Sequence, residues 1–134
     1  MRKINKIIIH CSATPAGRNV TVDDIDRWHR QRGFNSIGYH YVIYLDGTIH
    51  AGRPEHIQGA HCKGQNAHSI GVCYIGGCDC HMKPADTRTP QQRESLIKLV
   101  DLLLNRYPDA SVHGHNEFTA KACPSFNVEK EFRR

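Results

Sequence analysis

Long hydrophobic runs are missing from this sequence of 134 residues. The opening Met1-Arg2-Lys3-Ile4-Asn5-Lys6 leads into only Ile7-Ile8-Ile9 before His10. That falls short of the ~7–15 apolar residues of a secretory signal and the ~20 of a transmembrane helix. The expectation is a soluble protein made in the cytoplasm, with no signal peptide and no membrane insertion. Internal repeats, low-complexity segments and linkers are missing too, so nothing marks a boundary between two domains. With 39% hydrophobic residues the chain is long enough for one core, and a single domain over 1–134 is expected. Blocks of like charge are also lacking. The net charge of +5 suits an anionic partner, but its Lys and Arg are dispersed, as at Arg27, Arg30, Arg32, Lys98 and Arg106. Without a run of five or six there is no nucleic-acid arm, and no nucleic-acid partner is expected.

What the sequence does have is cysteine and histidine, six of the first and ten of the second. In a cytoplasmic chain such cysteines read as reduced thiols or metal ligands before they read as a disulfide framework. The periodicities around them alternate between strand and helix. Lys6 to His10 is a β-branched run that delivers His10 at its end. Thr21-Val22-Asp23-Asp24 has the form of a capping box, followed by Val22, Ile25 and Trp28 at helical spacing until Gly33. Tyr39 to Tyr44 and Thr48 to Ala51 flank an Asp46-Gly47 turn, a hairpin signal. Ser69 to Ile75 reads as a buried strand and Gly76 to Asp86 as a loop. Thr89-Pro90-Gln91-Gln92 starts a second helix, with Leu96, Leu99, Val100 and Leu103 as its apolar stripe, which stops at Tyr107-Pro108. Val112 to His115 is a short strand, and Asn116 to Phe126 is irregular around Pro124. This order predicts an α/β domain with a mixed central β-sheet flanked by helices.

Zinc hydrolases commonly use three protein ligands and keep a fourth position for water. His10 and His115 stand at predicted strand ends and Cys123 follows eight residues after His115. Lys121 is in a place to polarise a carbonyl. Spacing alone leaves the bland readings open. Each His is as easily a satisfied structural histidine, Cys123 a buried thiol, Tyr39 a strand aromatic and Lys121 a solvated charge. His113 shares a strand face with His115 and competes for the same role.

The segments Ile8-Ile9-His10-Cys11-Ser12-Ala13-Thr14, Gly38-Tyr39-His40-Tyr41-Val42-Ile43, Asp46-Gly47-Thr48, Ala51-Gly52-Arg53, Asn66 with Ser69-Ile70-Gly71-Val72, and Lys121-Ala122-Cys123-Pro124-Ser125-Phe126 carry a resemblance. In this order they resemble the zinc-dependent N-acetylmuramoyl-L-alanine amidases of the phage lysozyme type and, more loosely, the peptidoglycan recognition proteins. The likeness runs from about Ile7 to Phe126. It implies one zinc per chain on His10, His115 and Cys123, with Tyr39 and Lys121 as catalytic helpers and His61 and Asn66 as substrate contacts. It implies hydrolysis of the amide between N-acetylmuramic acid and the L-alanine of the stem peptide by a zinc-activated water. The partner is then peptidoglycan and the protein a monomer. It would act on the bacterial wall after release, as an endolysin, or as a recycling amidase in the cytosol. The alternatives are a non-catalytic peptidoglycan-binding module or one that binds a phage RNA polymerase. By strand alternation His40 and Cys11 are structural. Cys78-Asp79-Cys80-His81 has no counterpart in the family pattern and is read as a variable loop.

Overall fold

The structure is a computed structural model and describes residues 2–132. In chain order its elements are β1 (Lys6–Cys11), β2 (Thr14–Pro15), α1 (Val22–Gln31), β3 (Tyr41–Ile43), β4 (Ile49–Ala51), β5 (Ser69–Tyr74), β6 (Gly77–Cys78), α2 (Pro90–Arg106), β7 (Ser111–Gly114) and α3 (Val128–Phe132). Five strands form one sheet in the order β4-β3-β5-β1-β7. All neighbours are parallel except the antiparallel hairpin β3–β4 at one edge. The expected mixed sheet flanked by helices is therefore what the chain forms.

β1 is a strand because three consecutive isoleucines favour extended backbone and fill both faces of a sheet. Ile7, Ile9 and Cys11 join Ile70, Val72 and Tyr74 of β5 and Leu96, Leu99, Val100 and Leu103 of α2 in the larger core cluster. Ile8 and His10 alternate onto the opposite face. There His10 is in register with Cys73, which pairs with Val42 of β3. Val42 belongs to the second cluster, with Val20, Ile25, Ile37 and Ile75, against which Trp28 of α1 packs.

Both long helices start as the capping residues predict. Thr21 with Asp24, and Thr89 with Gln92, form reciprocal capping boxes. Gln92 does more than cap. It is fully buried, its Oε1 accepts from the Thr89 N–H, and its Nε2 donates to the carbonyls of Ile43 (3.3 Å) and Ile75 (2.9 Å). One amide thus holds the start of α2 against the ends of β3 and β5. The hairpin turn is Leu45-Asp46-Gly47, with Gly47 at φ +87° and its N–H bonded to the Tyr44 carbonyl.

Several local expectations change. Tyr39 and His40 precede β3 and do not belong to it. His40 is tied side-on to β5, accepting at Nδ1 from the Gly71 N–H (3.0 Å) while its backbone N–H donates to the Gly71 carbonyl (2.9 Å). Its full burial agrees with the structural role expected. The segment read as a loop contains β6, which pairs with β2. Two-residue strands are too short to show a period. His115 lies just beyond β7 and opens a 3-10 turn, His115–Glu117. α3 was not anticipated, because five residues carry no helical signal of their own. It is held by tertiary contact: the buried Arg88 guanidinium pairs with Asp86 (2.9 Å) and with Glu131 of α3 (2.7 Å), and lies over the Phe126 ring.

Replacing Gln92 by Ala removes the bonds to both strand carbonyls inside the core and is expected to cost about 1–3 kcal/mol. Urea unfolding should show a lower midpoint with an unchanged slope, whereas Gln91→Ala on the exposed side of the same turn should stay within about 0.5 kcal/mol.

Candidate metal centre

His10 sits at the C-terminal end of a parallel strand, where open α/β sheets place their sites. β7 runs alongside β1, with Gly114 opposite Ile9, so the residue that follows β7, His115, emerges next to His10. The two imidazole rings lie 4.5 Å apart between centroids. Cys123 arrives from the irregular segment after β7, which the Tyr74 hydroxyl holds by donating to the Pro124 carbonyl (2.6 Å). Its Sγ is 3.8 Å from His10 Nδ1 and accepts from the Cys11 backbone N–H (3.2 Å). One ligand atom from each of His10, His115 and Cys123 falls within 4.8 Å of the others. Among the described residues no second group of three such side chains converges.

The electrostatics suit a cation. Burial, with neighbouring His61 and His115, pushes His10 well below the ordinary imidazole range, and burial lowers His115 as well. Both rings are therefore neutral near pH 7 and keep a lone pair for ligation. The His115 Nδ1 atom is buried with no hydrogen-bond partner, which is costly unless something else engages it. The Cys11 group beside it and burial push the Cys123 thiol up, so its thiolate needs a nearby positive charge. Two imidazoles and one thiolate, arranged with an open side, are the donor set of a catalytic zinc site. The residues present fit the group that the resemblance implies.

The other residues singled out from the sequence come to the same place. Tyr39, His61, Asn66, His115 and Lys121 all line one cleft of about 460 Å³. The Tyr39 ring is 5.0 Å from that of His10, and burial pushes its phenol well above the ordinary range, so it is an O–H donor at any working pH. Lys121 is exposed at the rim, its backbone N–H held by the Thr119 hydroxyl (3.0 Å). Asn66 uses its Oδ1 to accept from the backbone N–H groups of His61 and Cys62, both at 2.9 Å. His61 bonds through Nδ1 to His10 Nε2 at 2.8 Å. His113, the competitor for ligation, is turned elsewhere and bonds to Ser111 and Glu117.

Other residues of the cleft carry no sequence motif for it, among them His29, Arg32, Phe34 and Lys63. His29 accepts from the Gly38 N–H at Nδ1 (2.8 Å), and burial lowers it to about 4. Its position four residues after Ile25 on the inner face of α1 was the available signal. Arg32, stacked over Phe34, lies past the helix, where no pattern applies. With Lys63 and Lys121, Arg32 gives the cleft three cations, and no carboxylate lines it among the described residues. The Cys78 to His81 segment is organised differently from a metal loop. Cys78 is buried in β6, Cys80 is exposed, and Asp79 Oδ1 accepts from the His81 and Lys83 N–H groups.

Comparison with known proteins agrees with this geometry. Residues 1–126 match the N-acetylmuramoyl-L-alanine amidase family. The endolysin of Escherichia phage T7 is 45% identical over 124 residues, covering 92% of this chain and 82% of that protein. A peptidoglycan-recognition protein of Drosophila melanogaster is 30% identical over 139 residues, covering all of this chain and 75% of that one. Among solved structures, the N-acetylmuramoyl-L-alanine amidase LysC from Clostridium intestinale URNW superposes with a TM-score of 0.83 at 36% identity, over 97% of this chain and 82% of that one. The fold, the converging donors and a match along nearly the whole length lead to one assignment: the chain belongs to the N-acetylmuramoyl-L-alanine amidase family and is a peptidoglycan hydrolase.

Proposed function

We propose that this chain, acting as one monomeric domain, cleaves the amide between N-acetylmuramic acid and the L-alanine of the stem peptide, with one zinc held by His10, His115 and Cys123. The observation that carries the reading is the convergence of one thiol and two neutral imidazoles within 4.8 Å, one of them, His115, lining the cleft. Bound there, zinc would supply Lewis acidity and a nucleophile available near neutral pH. The protein's own groups do the rest. Arg32, Lys63 and Lys121 attract an anionic substrate into the cleft, in keeping with the carboxylates of a stem peptide. As the lactyl carbonyl becomes tetrahedral its oxygen gathers charge, and the Tyr39 hydroxyl and the Lys121 ammonium donate to it. Tyr39 suits this role because burial keeps it protonated. Endolysins of phages T7 and K11, at 45% and 40% identity, support a role in breaking down the bacterial wall after release from the cell that made the protein.

Metal analysis of the purified protein should give one zinc per chain, and a chelator should abolish activity. Cys123→Ala should lose the zinc and, with it, part of the stability, since metal binding adds to folding free energy. Fully active protein that contains no transition metal would refute the mechanism.

Tyr39→Phe and Lys121→Ala should each retain one zinc yet lose about a hundredfold in kcat, with little change in KM. Release of stem peptides with an L-alanine amino terminus, followed by mass spectrometry, measures this. Wild-type turnover in both variants with zinc in place would remove Tyr39 and Lys121 from the mechanism and leave the metal assignment standing.

A further inference from the structure

His61 is held more tightly than a cleft residue needs to be in order to meet a substrate. Asn66 Oδ1 fixes its backbone N–H. Its ring lies in a slot left by two glycines: a Cβ on Gly59 or on Gly71 would come within 2.7 Å of ring carbons of His61. Its Nε2 is 3.2 Å from the Ser69 hydroxyl at the start of β5, and Ser69 is fully buried. Its Nδ1 is 2.8 Å from His10 Nε2. Both ring nitrogens are thus engaged inside the protein.

These contacts determine the protons. His10 Nδ1 faces Cys123 Sγ at 3.8 Å, within the group of converging donors, and needs its lone pair to ligate. The proton of the neutral His10 ring must then sit on Nε2, from which it is donated to His61 Nδ1. His61 in turn carries its proton on Nε2 and donates to Ser69 Oγ. The result is one consistent chain, His10 to His61 to Ser69, in which every ring nitrogen has a single role.

We infer that His61 is a positioning residue of the metal centre: with Ser69 behind it, His61 locks His10 in the tautomer and ring orientation that presents Nδ1 to the metal. The inference rests on the ligand set proposed above. A ligating histidine usually donates its second N–H to a carboxylate, a carbonyl or water, and loss of that partner typically weakens metal binding 10- to 100-fold. Here a neutral imidazole is the acceptor, and the glycine slot gives its ring the room to span from Ser69 to His10.

The test is zinc affinity, measured by competition with a chromophoric chelator on the full chain, together with thermal melting of each protein and steady-state kinetics. Zinc binding by His61→Ala is expected to weaken about 10- to 100-fold. Asn at the same position places an amide oxygen close to where Nδ1 was, so His61→Asn should recover most of the affinity. Ser69→Ala should fall between His61→Ala and wild type. In wild-type protein, histidine 15N shifts should show His10 protonated on Nε2, a readout that stands even if His61→Ala fails to fold. The opposite tautomer of His10 would overturn the proposal. So would a His61→Ala protein with wild-type zinc affinity and a raised KM, which would make His61 a substrate contact. Equal weakening in the Ala and Asn variants would reduce its role to packing. If Cys123→Ala loses zinc while His61→Ala does not, only this inference fails. If the wild type is active without zinc, the ligand assignment fails with it.

Discussion

The centre depends on β1 being buried on both faces between β5 and β7. Burial fixes the register strongly, because slipping by one residue would turn Ile8 and His10 into the α2 core and bring Ile7 and Ile9 to the cleft. That would place an imidazole where Leu96 and Leu103 require an apolar neighbour, at the cost of burying an unsatisfied polar ring. The same pairing brings the end of β7 beside the end of β1, so the backbone itself carries His115 to His10. Hydrophobic packing on one face of the sheet therefore sets the chemistry on the other.

The polar side of the sheet is arranged around what the packing leaves there. His10, His40 and His61 are three imidazoles in close succession, with ring centroids 4.9 Å apart for His10 and His61 and 5.9 Å for His40 and His61. Burial lowers all three, so they coexist as neutral rings and are ordered by hydrogen bonds instead of being pushed apart by charge. Backbone groups of β5 and the loop before it, with the Asn66 amide, supply most of the partners: Gly71 to His40, Ile57 to His40 and Asn66 to the loop that carries His61. The N-terminal Arg2 joins the same network, donating to the carbonyls of Asn66, Ser69 and Glu55.

Charge is divided between the inside of the cleft and its rim. Along and behind its wall are neutral imidazoles, a protonated phenol and a thiol that its surroundings keep from ionising without a cation. Around the opening are Arg32, Lys63 and Lys121. Part of the positive charge of the sequence is thus gathered at the cleft, while Arg27 and Arg30 on α1 are paired with Asp24 and Asp26.

The sequence by itself determined the elements whose signals are local. The capping boxes at Thr21 and Thr89, the isoleucine run of β1, the Asp46-Gly47 turn and the stripe from Leu96 to Leu103 all appear where their spacing put them. Family motifs around His10, Tyr39 and Cys123 point to the amidase chemistry. Tertiary structure alone decided what depends on distant partners. β2, β6 and α3 are too short to declare themselves and exist through pairing and through Arg88. Whether His113 or His115 turns to His10 was settled by where β7 ends and by the Ser111 and Glu117 partners of His113. The place of His61 behind His10, and of His29 and Arg32 in the cleft, follows from contacts between residues far apart in the chain, and no spacing along a strand or helix encodes those.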